Sequence, residues 1–210
     1  LLNANAYSLK MQGEYLDKKS GQTRQSNVRV EINGIHQIQQ YCKTNSLRNI
    51  QSEYIQKSGA IVDGVPMRPV NIDDFNLRAS FQVEKKIQSY SSFAENIISS
   101  WSDSKKTFRY INRTSFVHKD LPIRVDLSIV KESDRKGGKF PIPQYTIQDA
   151  GVFSGNERYE IEIECINSMI GPGTAFNSVE ELNAAMNRAI KIILSGLQET
   201  NYPVSYKEQT

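Results

Sequence analysis

The alternation of polar and apolar side chains predicts that most of this chain forms β-strands. Successive side chains of a strand point to opposite faces of its sheet, so a half-buried strand shows a period of two. This period is found in seven segments, at 7–16, 28–32, 53–62, 77–87, 107–117, 122–131 and 159–164. A turn at 17–21 joins the first two of them into a predicted hairpin.

Helical spacing of apolar residues is found in three places. It covers 35–43, 91–101 and a longer stretch that begins after Ser178, where Ser178 and Glu181 form a predicted capping box. The segment 135–155 is rich in Gly and Pro and is expected to be a mobile loop. The predicted fold class is therefore α+β with an antiparallel sheet.

Charged residues are concentrated on the polar faces of four predicted strands. Three of these faces are basic, with Arg78 and Lys86 on one strand, Arg109 and Arg113 on another, and Arg124 beside Asp126 on the third. An ordinary sandwich would turn such faces toward water. A curled sheet would instead enclose them in a channel and pack its apolar faces against helices. The joint pattern of the four strands favours the channel.

The fourth strand carries Glu160, Glu162 and Glu164 on one face. Neighbouring carboxylates repel one another and are costly to bury, so a folded protein seldom gathers three of them without a cation. Their oxygens suit Mg²⁺ or Mn²⁺, and arginines elsewhere on such a surface would bind phosphate oxygens. The alternative is a half-exposed strand whose glutamates face water.

Composition limits the remaining choices. A chain of 210 residues suits one domain, and its mean hydropathy of −0.52 with 38% hydrophobic residues leaves no run long enough to span a membrane. The net charge of +3 is too small to imply a polyanionic partner by itself. Cys42 and Cys165 are expected to be reduced core thiols. Neither a Cys-centred phosphatase loop nor a Walker-type loop is found.

Three blocks together resemble a known family: 106–116, KTFRYINRTSF; 123–131, IRVDLSIVK; and 159–164, YEIEIE. Their order and spacing are similar to those of the RNA triphosphatase domain of mRNA capping enzymes from large DNA viruses, such as mimivirus-like and African swine fever virus-like enzymes. The family belongs to the triphosphate tunnel metalloenzymes. The resemblance implies an antiparallel β-tunnel with helices packed outside and hydrolysis of the γ-phosphate of 5′-triphosphate RNA with Mg²⁺ or Mn²⁺.

The resemblance also assigns roles to particular residues. It implies that Glu160, Glu162 and Glu164 bind the metal, and that Asp126 orients an arginine or assists the metal. The implied phosphate-binding residues are Arg109, Arg113 and Arg124, with Lys131, Arg78 and Lys86 as weaker candidates. The implied partners are the 5′-triphosphate end of nascent mRNA and guanylyltransferase and methyltransferase domains of the same polypeptide or complex, with no membrane. The implied location is intracellular, in a virus factory or virion.

One departure from the family concerns a second glutamate-bearing strand. The family places such a strand near the amino end of the domain, and no E-x-E is found here before Leu77. The expectation is that this first strand lies upstream of Leu1, that 1–200 forms the tunnel domain, and that 201–210 begins a linker. Two other functions stay open: a hydrolase of small triphosphates or polyphosphates with the same fold, and a non-catalytic scaffold that binds RNA ends or a partner.

Overall fold

The structure is a computed structural model that describes residues 2–17 and 19–209, with side chains from position 6 onward. Its strands are β1 (Leu2–Leu16), β2 (Thr23–Gln25), β3 (Val28–Asn33), β4 (Ser52–Gly59), β5 (Ile61–Val62), β6 (Val65–Pro66), β7 (Val70–Ile72), β8 (Leu77–Ala79), β9 (Gln82–Ile87), β10 (Lys106–Val117), β11 (Ile123–Glu132), β12 (Arg135–Lys136), β13 (Phe140–Pro141) and β14 (Arg158–Cys165). Its helices are α1 (Ile35–Thr44), α2 (Ser92–Ser100) and α3 (Val179–Gln198).

One antiparallel sheet of eight strands forms the body of the molecule. Seven strands follow the order β14-β11-β10-β1-β3-β4-β9, and β2 pairs with the far end of β1. The sheet curls, and the curl brings side chains from strands two apart together on the concave face. Arg29 on β3, for example, reaches Glu84 on β9 at 3.5 Å, across β4. Among the described residues β9 and β14 each pair on one side only, so the sheet is a half-barrel.

The predicted strands are confirmed with three corrections, the first of which is that β1 begins at Leu2 and not at position 7. The segment 53–62 divides into β4 and β5, and the segment 77–87 divides into β8 and β9. β8 leaves the main sheet because it pairs with β7 through a tight turn, in which Asn76 adopts a left-handed conformation with φ of 49°. β9 then pairs with β4. Polar and apolar residues continue to alternate through this break, so the sequence pattern did not reveal that the segment divides into two strands.

The hydrophobic core lies between the convex face of the sheet and two helices. Buried apolar side chains of β1, β3 and β10 pack there against α1 and α2. The Trp101 Nε1–H donates a hydrogen bond of 3.0 Å to the Tyr41 hydroxyl, and both side chains are almost fully buried. This pair joins the end of α2 to α1, so the predicted packing of helices outside the sheet is confirmed.

The segment 135–155 is part of the core, which corrects the expectation of a mobile loop. Ile147, Ala150 and Val152 are each 1% exposed and belong to the main hydrophobic cluster. The backbone N–H of Asp134 donates to the carbonyl of Ala150 at 2.9 Å and fixes this segment beside β11. Its Gly and Pro residues therefore lie in turns on either side of residues that are buried in the core.

Helix α3 begins at the predicted capping box, in which the Ser178 side chain accepts from the Glu181 backbone N–H. Its contact with the sheet end includes the sulfur atoms of Cys165 and Met186, 3.8 Å apart. Cys165 is exposed and Cys42 is half-buried, so the prediction of two core thiols is wrong for Cys165. None of the helices in the described residues has the length and apolar character needed to cross a membrane.

Candidate functional site

The concave face of the sheet carries the charged residues, as the alternation predicted. Strand register aligns Glu162 on β14 with Asp126 on β11, and Glu164 with Arg124. The next strand places Arg113 opposite Ser128, and Arg109 lies opposite Lys10 on β1. One continuous polar surface therefore extends from β14 to β1, and it brings together the three acids and the three arginines of the predicted site.

On this surface each of the three arginines pairs with a different glutamate of β14. Arg109 donates to Glu160 at 2.7 Å, across β11. Arg113 contacts Glu162 and Arg124 contacts Glu164, both through Nη2 and Oε2. The opposite charges are therefore in direct contact and neutralise one another. The guanidinium groups that could bind a phosphate are paired with the carboxylates that could bind a metal.

Asp126 lies beneath two of these pairs and is fully buried. Its Oδ2 forms an ion pair with Arg113 Nη1 at 3.0 Å, and Arg124 Nε lies 3.1 Å from its Oδ1. The Arg124 N–H points to Oδ2 rather than Oδ1, so Oδ1 is buried and ion-paired but has no donor in hydrogen-bonding geometry. A buried carboxylate oxygen with spare acceptor capacity is an uncommon and costly feature.

The same aspartate forms a candidate cation site with two glutamates. Carboxylate oxygens of Asp126, Glu162 and Glu164 lie within 4.8 Å of one another. Three hard oxygen donors suit Mg²⁺ or Mn²⁺, and the unsatisfied Oδ1 of Asp126 fits such a ligand. Glu160 lies outside this group and pairs with Arg109 at 2.7 Å.

A second charged cluster lies on the same surface toward β9. Lys10 Nζ is 3.6 Å from the carboxylate of Glu31, which is 8% exposed, and Arg29 contacts the same carboxylate. Burial lowers the pKa of Lys10, against the opposing attraction of Glu31. Burial acts to raise the pKa of Glu84, but attraction to Lys57 and other cations outweighs it, so this pKa is lowered overall.

Glu132 forms a third cluster at the end of the surface where β10 begins and β11 ends. Its carboxylate is held by Arg135 through two hydrogen bonds, at 3.0 and 2.9 Å. Arg158 lies 3.1 Å and Arg109 lies 3.8 Å from the same carboxylate. One acid thus draws three guanidinium groups together.

None of the three weaker phosphate-binding candidates lies in the arginine cluster. Lys131 lies on the convex face, where its Nζ donates to the Phe153 carbonyl at 3.3 Å, because its strand position is out of phase with Arg124. Arg78 lies on β8, outside the main sheet. Lys86 shares the concave face but lies on the edge strand β9, with Glu53 at 3.0 Å. The structure therefore corrects the expectation that Lys131 and Arg78 face the arginine cluster.

Several charged residues of this surface were not predicted. Lys10 follows the alternation of β1, and Glu132 is in phase with Arg124 and Asp126 one residue beyond the predicted end of that strand. Their phase was therefore a usable signal. Arg135 and Arg158 gave no such signal, because their approach to Glu132 depends on how three separate elements meet.

Comparison with known proteins gives one informative similarity, to a solved structure of the mimivirus capping enzyme triphosphatase in a monoclinic crystal form. The TM-score is 0.50 with 14% sequence identity, over 91% of this chain and 76% of that chain. The chain has the fold of that triphosphatase. The similarity confirms the predicted fold class, an antiparallel tunnel-type sheet with external helices. No protein-family model and no curated protein sequence matches the chain.

Proposed function

We propose that this domain hydrolyses the γ-phosphate of 5′-triphosphate RNA, the first step of mRNA capping. The observation that carries the proposal is the ladder of arginine–glutamate pairs above a buried aspartate, on the concave face of a fold similar to a capping-enzyme triphosphatase. This arrangement supplies anion-binding and cation-binding side chains in direct contact with each other.

The roles follow from the charges. Arg109, Arg113 and Arg124 bind the triphosphate oxygens once their carboxylate partners release them. Asp126, Glu162 and Glu164 hold Mg²⁺ or Mn²⁺, which when bound stabilises negative charge on phosphate oxygens. A glutamate of β14 that is not engaged by the metal orients the attacking water and accepts its proton. The neighbouring arginines neutralise the charge that develops on the phosphate.

The test is release of inorganic phosphate from RNA with a 5′-triphosphate, with Mg²⁺ or Mn²⁺ and with a chelator. ATP and inorganic triphosphate are measured in parallel. We expect divalent-dependent release from RNA at lower substrate concentration than from the small molecules. A preference for inorganic triphosphate would favour the small-molecule hydrolase, and no release from any substrate would favour the scaffold.

A variant pair identifies the site. Glu162→Gln keeps the size of the side chain but removes its charge, and we expect the rate of phosphate release to fall about 100-fold or more. Glu180→Gln, on the exposed first turn of α3, removes an equal charge far from β14 and should leave the rate within about twofold. Full activity of Glu162→Gln would contradict the metal assignment.

The proposed partners follow from the proposed reaction. Its product, a 5′-diphosphate RNA end, is the acceptor for a guanylyltransferase, so we propose that guanylyltransferase and methyltransferase domains work with this one, in the same polypeptide or complex. Co-purification with such domains from infected cells would test this and the proposed location in a virus factory or virion.

A further inference from the structure

The cluster around Glu132 has more positive charge than its carboxylate needs. Arg135 and Arg158 contact Glu132 closely, and Arg109 lies near it while donating to Glu160. Arg158 uses only Nη2 in this contact, and its side chain is 49% exposed. Guanidinium donors of Arg158 therefore stay available to a further anion at this end of the concave surface.

A small hairpin extends from the same cluster. β12 and β13 pair through a turn at Gly137 and Gly138, whose left-handed φ values of 58° and 72° favour glycine. Arg135 fixes the hairpin, because its Nη1 donates to the Lys139 carbonyl at 2.7 Å while its other nitrogens bind Glu132. The hairpin thus stands in a defined position beside the arginine ladder.

The hairpin presents cations and an aromatic ring to solvent. Lys136 and Lys139 are exposed, and in the described part of the chain neither forms an ion pair. Phe140 is 73% exposed, which is unusual for a side chain of this size. A solvated surface hairpin explains the lysines alone, but it does not explain an exposed phenylalanine directly opposite Lys136 in the hairpin.

Exposed aromatic rings beside backbone-binding cations are the features by which proteins bind single-stranded nucleic acid. A base stacks on the ring, and the lysines neutralise the adjacent phosphates. Resting on the proposed function, we infer that the β12–β13 hairpin and Arg158 bind the first nucleotides of the RNA whose triphosphate occupies the arginine ladder. The contact is independent of base identity, because stacking and phosphate contacts read no base edge.

Binding of a 3′-labelled 12-nucleotide RNA, measured by fluorescence anisotropy at several salt concentrations, tests the inference. RNA with a 5′-triphosphate and RNA with a 5′-hydroxyl are compared, without divalent metal. We expect Lys136→Ala with Lys139→Ala to weaken binding of both RNAs about tenfold at low salt and to reduce the salt slope by about 1.4, the value for two phosphates on a single strand. Phe140→Ala should weaken binding about fivefold or more.

The matched control is Lys119→Ala with Lys191→Ala. It removes two exposed lysines from the turn at the other end of β10 and from α3. We expect RNA binding within twofold of the unchanged protein. Equal loss in the control and hairpin variants, or no loss in the hairpin variant, would overturn the inference.

Phosphate release separates this inference from the proposed function. In the hairpin variants, the KM for 5′-triphosphate RNA should rise while release from inorganic triphosphate stays unchanged. If no substrate is hydrolysed by the unchanged protein, the proposed function fails, and the anisotropy measurement still decides whether the hairpin binds RNA.

Discussion

Asp126 shows at the scale of single residues how the charged surface is held together. It is fully buried, and two arginines neutralise it: Arg113 on the neighbouring strand β10 and Arg124 on its own strand β11. Removing one partner of a buried ion pair costs several kcal/mol when the other charge is left alone. Here the second arginine reduces that cost, so one arginine–carboxylate pair can separate when a cation or a phosphate binds. Binding of cation and binding of phosphate should therefore support each other.

Arg113→Gln tests this coupling. The substitution releases Glu162 and one oxygen of Asp126, so without phosphate we expect Mn²⁺ to bind about tenfold more tightly, as measured by electron paramagnetic resonance of free Mn²⁺. Binding of inorganic triphosphate should weaken in the same variant. Arg188→Gln on the exposed side of α3 is the control and should change neither. Unchanged or weaker Mn²⁺ binding in Arg113→Gln would contradict the coupling.

Lys106 gives a pH dependence. It is fully buried, with Nζ donating to the carbonyls of Trp101 at 2.8 Å and Ser104 at 2.7 Å, and burial lowers its pKa from 10.5 to about 8. Between these values the unfolded chain binds more protons than the folded one, so the free energy of unfolding rises with pH.

We expect the stability difference between the unchanged protein and Lys106→Met to shift by about 1–2 kcal/mol in favour of the unchanged protein from pH 7 to pH 9.5. Urea unfolding at each pH measures it. Lys191→Met on α3 provides an exposed control with no such shift. A difference that is constant across this range would show that Lys106 keeps its ordinary pKa in the folded protein.

At the scale of elements, one buried hydrogen bond joins the end of α2 to α1 within the hydrophobic cluster. Tyr41→Phe removes the acceptor of the Trp101 N–H, which then stays buried without a partner, and it also removes the O–H donor to Asn45 Oδ1. We expect a loss of about 1–3 kcal/mol in the free energy of unfolding. Tyr54→Phe is the matched control, because within the described part of the chain the Tyr54 hydroxyl bonds with Ser52, which is half-buried and can turn to water. Equal losses in chemical denaturation would argue against a special role for the Trp101–Tyr41 pair.

At the scale of the whole molecule, the free edge of β14 lies next to an apolar surface. On its convex side Tyr159 is 74% exposed, and Leu127, Ile129 and Ile161 are 37–43% exposed. An unpaired strand edge with exposed apolar side chains promotes association with other chains. The half-barrel in the described residues is therefore expected to self-associate through this edge.

Ile161→Lys tests this expectation. A lysine on the convex face next to the free edge should raise the protein concentration at which light scattering increases, by about threefold or more. Val179→Lys also replaces an exposed apolar residue, 78% exposed on α3, and should have little effect. If both variants change scattering equally, general surface hydrophobicity and not the edge controls association.

What the sequence determined by itself was the set of main strands and the face on which each charged residue lies. Alternation is a local property with a period of two, so it placed Glu162, Arg113 and Arg124 on polar faces without knowledge of their neighbours. The capping box at Ser178 is equally local, and it was predicted correctly. The same rule puts Lys131 out of phase with Arg124, but the resemblance implied Lys131 as a phosphate-binding candidate and this conflict was not used.

Only the tertiary structure decided which charges meet. The pairing of Arg109 with Glu160 and of Arg113 with Glu162 depends on strand order and on the curl that brings side chains across β11. The approach of Arg135 and Arg158 to Glu132, and the burial of Ile147, likewise depend on how segments distant in sequence pack. Such contacts leave no periodic trace in the chain, because they are set by the distances between elements and not by the order of residues within one.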